Sequence, residues 1–218
     1  MPSIIVEAGH IYTNEHPALE HRAGAELGHR LSDLFALGGV DVKKWVLIDD
    51  YNPQFDDGSP DLDVDSYLLA LHDWGFAPHE VVRESSLVPA AAEILEQMLE
   101  GNIARQRSDG RVFLRESNIR LYDAANGRYA CALLDACLYR DKLGHADMCV
   151  TVLDRKYAPE QKRTLAIGKH MGINAARIFP FFYANTFAQQ SIGHGSDQPA
   201  FDLLHTAQKV PGRGEYDV

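Results

Sequence analysis

The sequence predicts an α/β fold: a mostly parallel, doubly wound sheet with a small β unit inserted. Three observations carry this. Short apolar runs alternate with amphipathic helical segments along most of the 218 residues. The run Met-Cys-Val-Thr-Val-Leu at 148–153 is apolar and β-branched on both faces, as a strand covered on both sides must be. Between residues 106 and 128 the pattern changes to short alternating runs with an Asn126-Gly127 turn, the mark of antiparallel hairpins.

The elements follow in order. A first strand over residues 3–12 ends near Gly9. Residues 18–37 form a helix with Leu19, Ala23, Leu27, Leu31, Leu34 and Phe35 on one face, stopped by Gly38-Gly39. A second strand covers 45–48. The polar stretch 49–63, with Pro53, Gly58 and Pro60, reads as a long functional loop. A helix over 65–74 and a strand over 81–84 follow, and Ser86 is placed to cap a helix over 89–99. After the β unit come a helix over 129–143 ended by Gly144, the strand 148–153, a helix over 159–171 ended by Gly172, and a last strand over 176–183. Residues 1–183 make up the domain; residues 184–218 are weakly patterned and read as a C-terminal extension.

Composition narrows the class. No run approaches the ~20 apolar residues of a membrane span, and the first residues show neither a basic n-region nor an apolar h-region. Cytoplasm is the expected compartment, with no membrane partner. Three cysteines, Cys131, Cys137 and Cys149, lack any C-x-x-C spacing and read as buried thiols rather than a disulfide framework or a zinc site. No metal site is expected: no pair among His10, His16, His21 and His29 sits in a ligand motif with a carboxylate. A net charge of −10 does not favour tRNA as a partner, although Arg105, Arg107, Arg111, Arg115 and Arg120 cluster in one segment.

Several stretches carry a resemblance. They are Val46-Leu-Ile-Asp-Asp-Tyr-Asn-Pro53, the helix end Asp73-Trp-Gly-Phe76, the strand end Arg83-Glu-Ser85, Tyr129-Ala-Cys-Ala-Leu-Leu-Asp135, and the unbroken 150–172. In order and spacing they resemble the catalytic domain of class I aminoacyl-tRNA synthetases of the glutamyl and arginyl type, over residues 3–183. The resemblance implies a Rossmann-like sheet of the class I synthetase type, with a crevice at the carboxyl ends of the strands. Of the family's His-x-Gly-His element only His21 is retained, with Ala18 and Glu20 at the other marked positions. No lysine motif follows the last strand before Lys209, and no anticodon-binding domain is recognised. Asp135 matches the family's amino-acid-recognising Asp, and Cys131 stands at its Tyr.

The candidate residues sit at these strand ends. His10, His21, Arg155 and Lys156 are the catalytic candidates, stabilising anionic charge as it develops. Glu7, Asp49, Asp50, Tyr51, Asp135, Tyr157 and Gln161 are the substrate-binding candidates, orienting an ammonium group or a ribose. The function expected is a stand-alone synthetase-like enzyme that binds an amino acid or aminoacyl group and forms or transfers an amide or ester linkage. An adenylating version uses ATP, with Mg. The alternatives are a non-catalytic amino-acid or nucleotide-binding module, and an ATP-independent enzyme taking its aminoacyl group from charged tRNA or a small derivative.

Overall fold

The computed structural model describes residues 1–9, 11–12, 19–51 and 64–184. His10, most of the polar loop after Tyr51, and the extension beyond residue 184 lie outside them.

The main sheet is parallel throughout. Its strands are β1 (Ser3–Glu7), β2 (Ile11–Tyr12), β3 (Asp41–Asp49), β4 (Glu80–Arg83), β9 (Met148–Asp154) and β10 (Ile178–Tyr183). β10, β9, β1, β3 and β4 lie in that spatial order. β2 pairs with the carboxyl end of β3, where β4 already holds the other edge, so it continues the line of β1. The order reverses at β1, whose neighbours β3 and β9 follow it through separate crossovers. This is the topological switch point at which open α/β sheets bind ligands. The inserted unit is an antiparallel meander of β5 (Ala104–Gln106), β6 (Val112–Leu114), β7 (Arg120–Asp123) and β8 (Arg128–Tyr129).

Helices cover both faces. α1 (Leu19–Leu37) and α2 (Val64–Asp73) lie on one side, and α3 (Val88–Glu100), α4 (Cys131–His145) and α5 (Ala158–His170) on the other. Alternation along the strands sorts the core. Ile4, Val6, Val46, Ile48 and Val150 pack beneath α1 and α2. Ile5, Trp45, Leu47 and Cys149 pack beneath α3, α4 and α5. The same alternation turns Glu7, Asp49 and Thr151 toward α4, and that choice of face builds the site.

Four expectations are corrected. α1 buries its leucine face only in part: Leu27, Leu31 and Phe35 pack half-buried against the core, Leu34 is 65% exposed, and the fully buried positions are His21, Gly24, Ala25, Gly28 and Ser32. A Cβ at Gly28 would run into Ala8, and one at Gly24 would lie 2.9 Å from the Tyr183 hydroxyl. Close approach of helix to sheet, not side-chain bulk, sets this contact. The strand β3 begins at Asp41, four residues earlier than its apolar run, because its polar first half still pairs with β1. Ser86 is not a helix cap: residues Glu84–Leu87 form a 3-10 turn, Ser86 Oγ donates to the Arg83 carbonyl, and α3 starts at Val88 with Pro89 in its first turn. Cys131 is exposed in the first turn of α4, whereas Cys137 and Cys149 are buried as expected.

Candidate active site

Register brings two carboxyls together. β3 and β4 pair with Ile48 opposite Arg83, so the next residues, Asp49 and Glu84, emerge side by side. Both face α4 with Leu47 and Val82. Only 4% of Asp49 and 3% of Glu84 reaches solvent. The two side chains hydrogen bond to each other. Among the described residues neither Asp49 Oδ1 nor Glu84 Oε2 meets a donor. A buried carboxylate without a donor is costly, so the proton stays. Burial first, then the Asp49 hydrogen bond and charge, then Asp135 and Asp50, push the Glu84 carboxyl up to about 10.

One strand over, Glu7 lies between Thr151 and Trp45 in register. Its carboxylate is paired with the buried Lys142 ammonium and accepts from Thr151 Oγ1 at 3.2 Å. Tyr139 OH bridges Thr151 Oγ1 and Gln161 Oε1, each at 3.0 Å. Asp135, Tyr139 and Lys142 follow one another on a single face of α4, at helical spacing. Asp135 stands between the two groups. Burial, then Glu7, push its carboxyl up to about 7 against the opposing pull of Lys142; Glu160 and Asp49 add to the rise. The Cys131 thiol is pushed up by desolvation and then by Glu84, Asp135 and Asp49. These mutual influences show that Glu7, Asp49, Glu84, Asp135 and Cys131 lie within electrostatic reach of one another, at the carboxyl edge of the sheet where a crevice is expected.

The structure places the other sequence-predicted residues as follows. Asp50 accepts from Ser85 N at 2.8 Å and Ser85 Oγ at 2.7 Å, and approaches Arg83, fixing the turn that presents Glu84. Tyr51 turns toward the inserted unit: Arg128 stacks over its ring and donates to its carbonyl. Gln161 is buried, and its Nε2 meets no acceptor among the described residues. Arg155 and Lys156 are exposed in the 3-10 turn after β9, with Lys156 over the Tyr157 ring. His21 sits on the other face of the sheet, edge-on to Tyr67 of α2 at 5.7 Å, and is not part of the acidic group. His10 lies outside the described residues.

The sequence places the strand end 84–86 at the crevice but does not single out Glu84 as a site residue. The signal was present: Glu84 is the middle residue of the Arg83-Glu-Ser85 strand end, one step past the pairing of Ile48 with Arg83.

The fold has counterparts among solved structures. A protein from Campylobacter jejuni described as an arginyl-tRNA synthetase superposes with a TM-score of 0.64, 13% identity and 84% of this chain covered. Arginyl-tRNA synthetases from Plasmodium falciparum and Thermus thermophilus superpose at 0.61 and 0.58, with 15% and 13% identity over 84% of the chain. The fold is class I synthetase-like. The chain spans about half the length of these proteins, 55%, 43% and 48% respectively. No family model and no curated protein matches the sequence. No helix among the described residues is long and apolar enough to cross a membrane, and none of their His, Cys, Asp and Glu groups could hold a metal ion.

The fold family implies ATP, and the described donors of this crevice do not suit a triphosphate. Glu7, Asp49, Glu84 and Asp135 line it, and Lys142 is already paired with Glu7. Such a set attracts a cation and repels phosphate.

Proposed function

We propose that this crevice holds the positively charged part of an amino acid or aminoacyl group, and that the protein is a stand-alone synthetase-like enzyme forming or transferring an acyl linkage. The observation that supports this reading most is the buried Asp49–Glu84 pair, with Asp135 beside it, at the carboxyl ends of β3 and β4, one strand from the switch point of the sheet. Carboxyl oxygens with no internal donor match the N–H groups of an ammonium or guanidinium ligand. The structural neighbours act on arginine according to their names, and a guanidinium fits an acidic, partly dry crevice well because it is weakly hydrated and forked.

Within this reading Asp135 and the Asp49–Glu84 pair orient the substrate. Glu7 and Lys142 form the rigid floor, and Asp50 fixes the turn beneath Glu84. Anchoring the cationic end of the ligand restricts the poses open to its carboxyl end, which lowers the barrier to acyl transfer by removing rotational freedom. The test is a thermal-shift series on the full chain with each of the twenty amino acids, with and without ATP. A hundredfold excess over the dissociation constant adds about 2.7 kcal/mol of stability. Stabilisation by cationic amino acids supports the reading; stabilisation by neutral or acidic ones alone contradicts it.

A second reading, that the aminoacyl group arrives on tRNA, is favoured by the inserted sheet. Residues 104–129 hold six arginines against three carboxylates in a chain of net charge −10. Arg105, Phe113 and Arg120 stand in one cross-strand row, and Arg107 lies 3.8 Å over the Phe113 ring. Arg105 and Arg107 both donate to the neutral Asn118 side chain at 2.8 and 3.1 Å rather than to an acid. Guanidinium groups around an aromatic ring suit phosphates and stacked bases.

A further inference from the structure

We infer that the Asp49–Glu84 pair is a proton-linked receptor, in which a cationic ligand enters by displacing the proton the two carboxyls share. This rests on the cation-binding reading of the crevice and adds how the site is kept closed to other occupants.

Parallel pairing fixes the backbones of β3 and β4, so Asp49 and Glu84 cannot separate without breaking the register of Ile48 and Arg83. Asp50 is held by Ser85 and Arg83, which keeps it from turning inward and locks the Glu84 turn. Two carboxylates this close and this buried cannot both be ionised without a counter-cation. Among the described residues the groups that act on the pair are Asp135 and Cys131 from α4 and, turned outward just past β3, Asp50, and none is a cation. The buried Lys142 ammonium is bound to Glu7. Since the described residues offer the pair no cation, a proton or a ligand cation is the counter-charge we assign to it.

The balance is simple. In the free protein one O–H hydrogen bond joins the pair, which carries one negative charge. On binding, that O–H bond is broken, its proton leaves to solvent, and the ligand's N–H groups donate to both carboxylates. The pair then carries two negative charges against one ligand cation. Burial already holds Glu84 protonated up to about 10, so release occurs throughout the neutral range.

The experiment is calorimetric titration of the full chain with arginine, and separately lysine, in buffers of different ionisation enthalpy. About one proton should be released per ligand bound, and affinity should rise about tenfold per pH unit above about pH 8, where Asp135 no longer titrates. Glu84→Gln keeps the shape of the side chain and removes the exchangeable proton, so any residual binding should release none. An infrared spectrum of the ligand-free protein at about pH 8 should show a protonated carboxyl that this substitution abolishes. Binding without proton release, or release unchanged in Glu84→Gln, overturns this proposal and leaves the cation-binding reading standing. If neither probe binds, the cation-binding reading fails and takes this proposal with it.

Discussion

Asp49 and Glu84, the residues that follow the paired Ile48 and Arg83 on neighbouring parallel strands, are buried together and hydrogen bonded carboxyl to carboxyl. Around that contact the rest of the crevice is arranged, and its titration gives the first prediction.

Stability should fall as pH rises. Glu84 has an ordinary carboxyl value of 4.5 that the fold raises to about 10, and Asp135 goes from 3.8 to about 7. Between those values the folded state binds more protons than the unfolded state, so unfolding free energy decreases with pH. The contribution of Glu84 is full below 4.5 and is lost progressively toward about 10; that of Asp135 is lost between 3.8 and about 7. Urea unfolding at a series of pH values checks this. Glu84→Gln should flatten the slope above about pH 8, where Asp135 no longer titrates, and a slope unchanged by the substitution would refute the assignment.

The Glu7–Lys142 pair is fully enclosed, with side chains 6% and 1% exposed. Removing one partner leaves a buried charge, which costs about 3–5 kcal/mol. Lys142→Met should therefore destabilise strongly, and Glu7→Gln with Lys142→Met should recover much of that loss. Equal effects of the single and double variants, read from denaturant midpoints, would show that the pair does not act as a unit.

How far the sequence foretold this depends on the element. The strand and helix alternation, the five core strands and the inserted β unit were legible, because period and turn residues are local signals. The packing of α1 was legible only in part: Leu27, Leu31 and Phe35 of its apolar stripe pack against the core, but Leu34 is exposed, and Gly24, Ala25 and Gly28 make the closest approach to the sheet. Hydrophobicity alone does not report close backbone approach. Glu7, Asp49 and Asp135 were legible as carboxylates in apolar surroundings. Glu84 was legible as a strand-end residue of the crevice, but its pairing with Asp49 was not, because inter-strand register sets that partner. Asp50 and Tyr51 look alike in sequence to Asp49, yet one fixes a turn and the other faces the inserted sheet.

Two glycines should separate packing from propensity. Gly28→Ala places a methyl group against Ala8 and 3.1 Å from the Phe76 ring, and overpacking of this kind costs about 1–3 kcal/mol. Gly144→Ala in α4 meets nothing within 4 Å and should stabilise by about 0.5–1 kcal/mol. Thermal midpoints moving in the same direction would contradict the account of α1.

The inserted sheet offers an independent check on the tRNA reading. Arg105→Ala with Arg107→Ala should weaken RNA binding across sequences and lower its dependence on salt, by about one unit of slope for each phosphate no longer neutralised. Filter binding at several salt concentrations reads both. RNA affinity that is unaffected would remove this surface from the account.

The central claim is that the crevice recognises positive charge, and the most direct measurement is a calorimetric comparison of arginine with citrulline, its neutral isostere, on the full chain near neutral pH. The account predicts that arginine binds and citrulline binds at least about tenfold more weakly, since hydrogen bonds to charged groups contribute about 1.5–3 kcal/mol, with the preference lost in the Asp49→Asn, Glu84→Gln double variant. Equal binding of the two ligands, or a preference that survives the double variant, would contradict it.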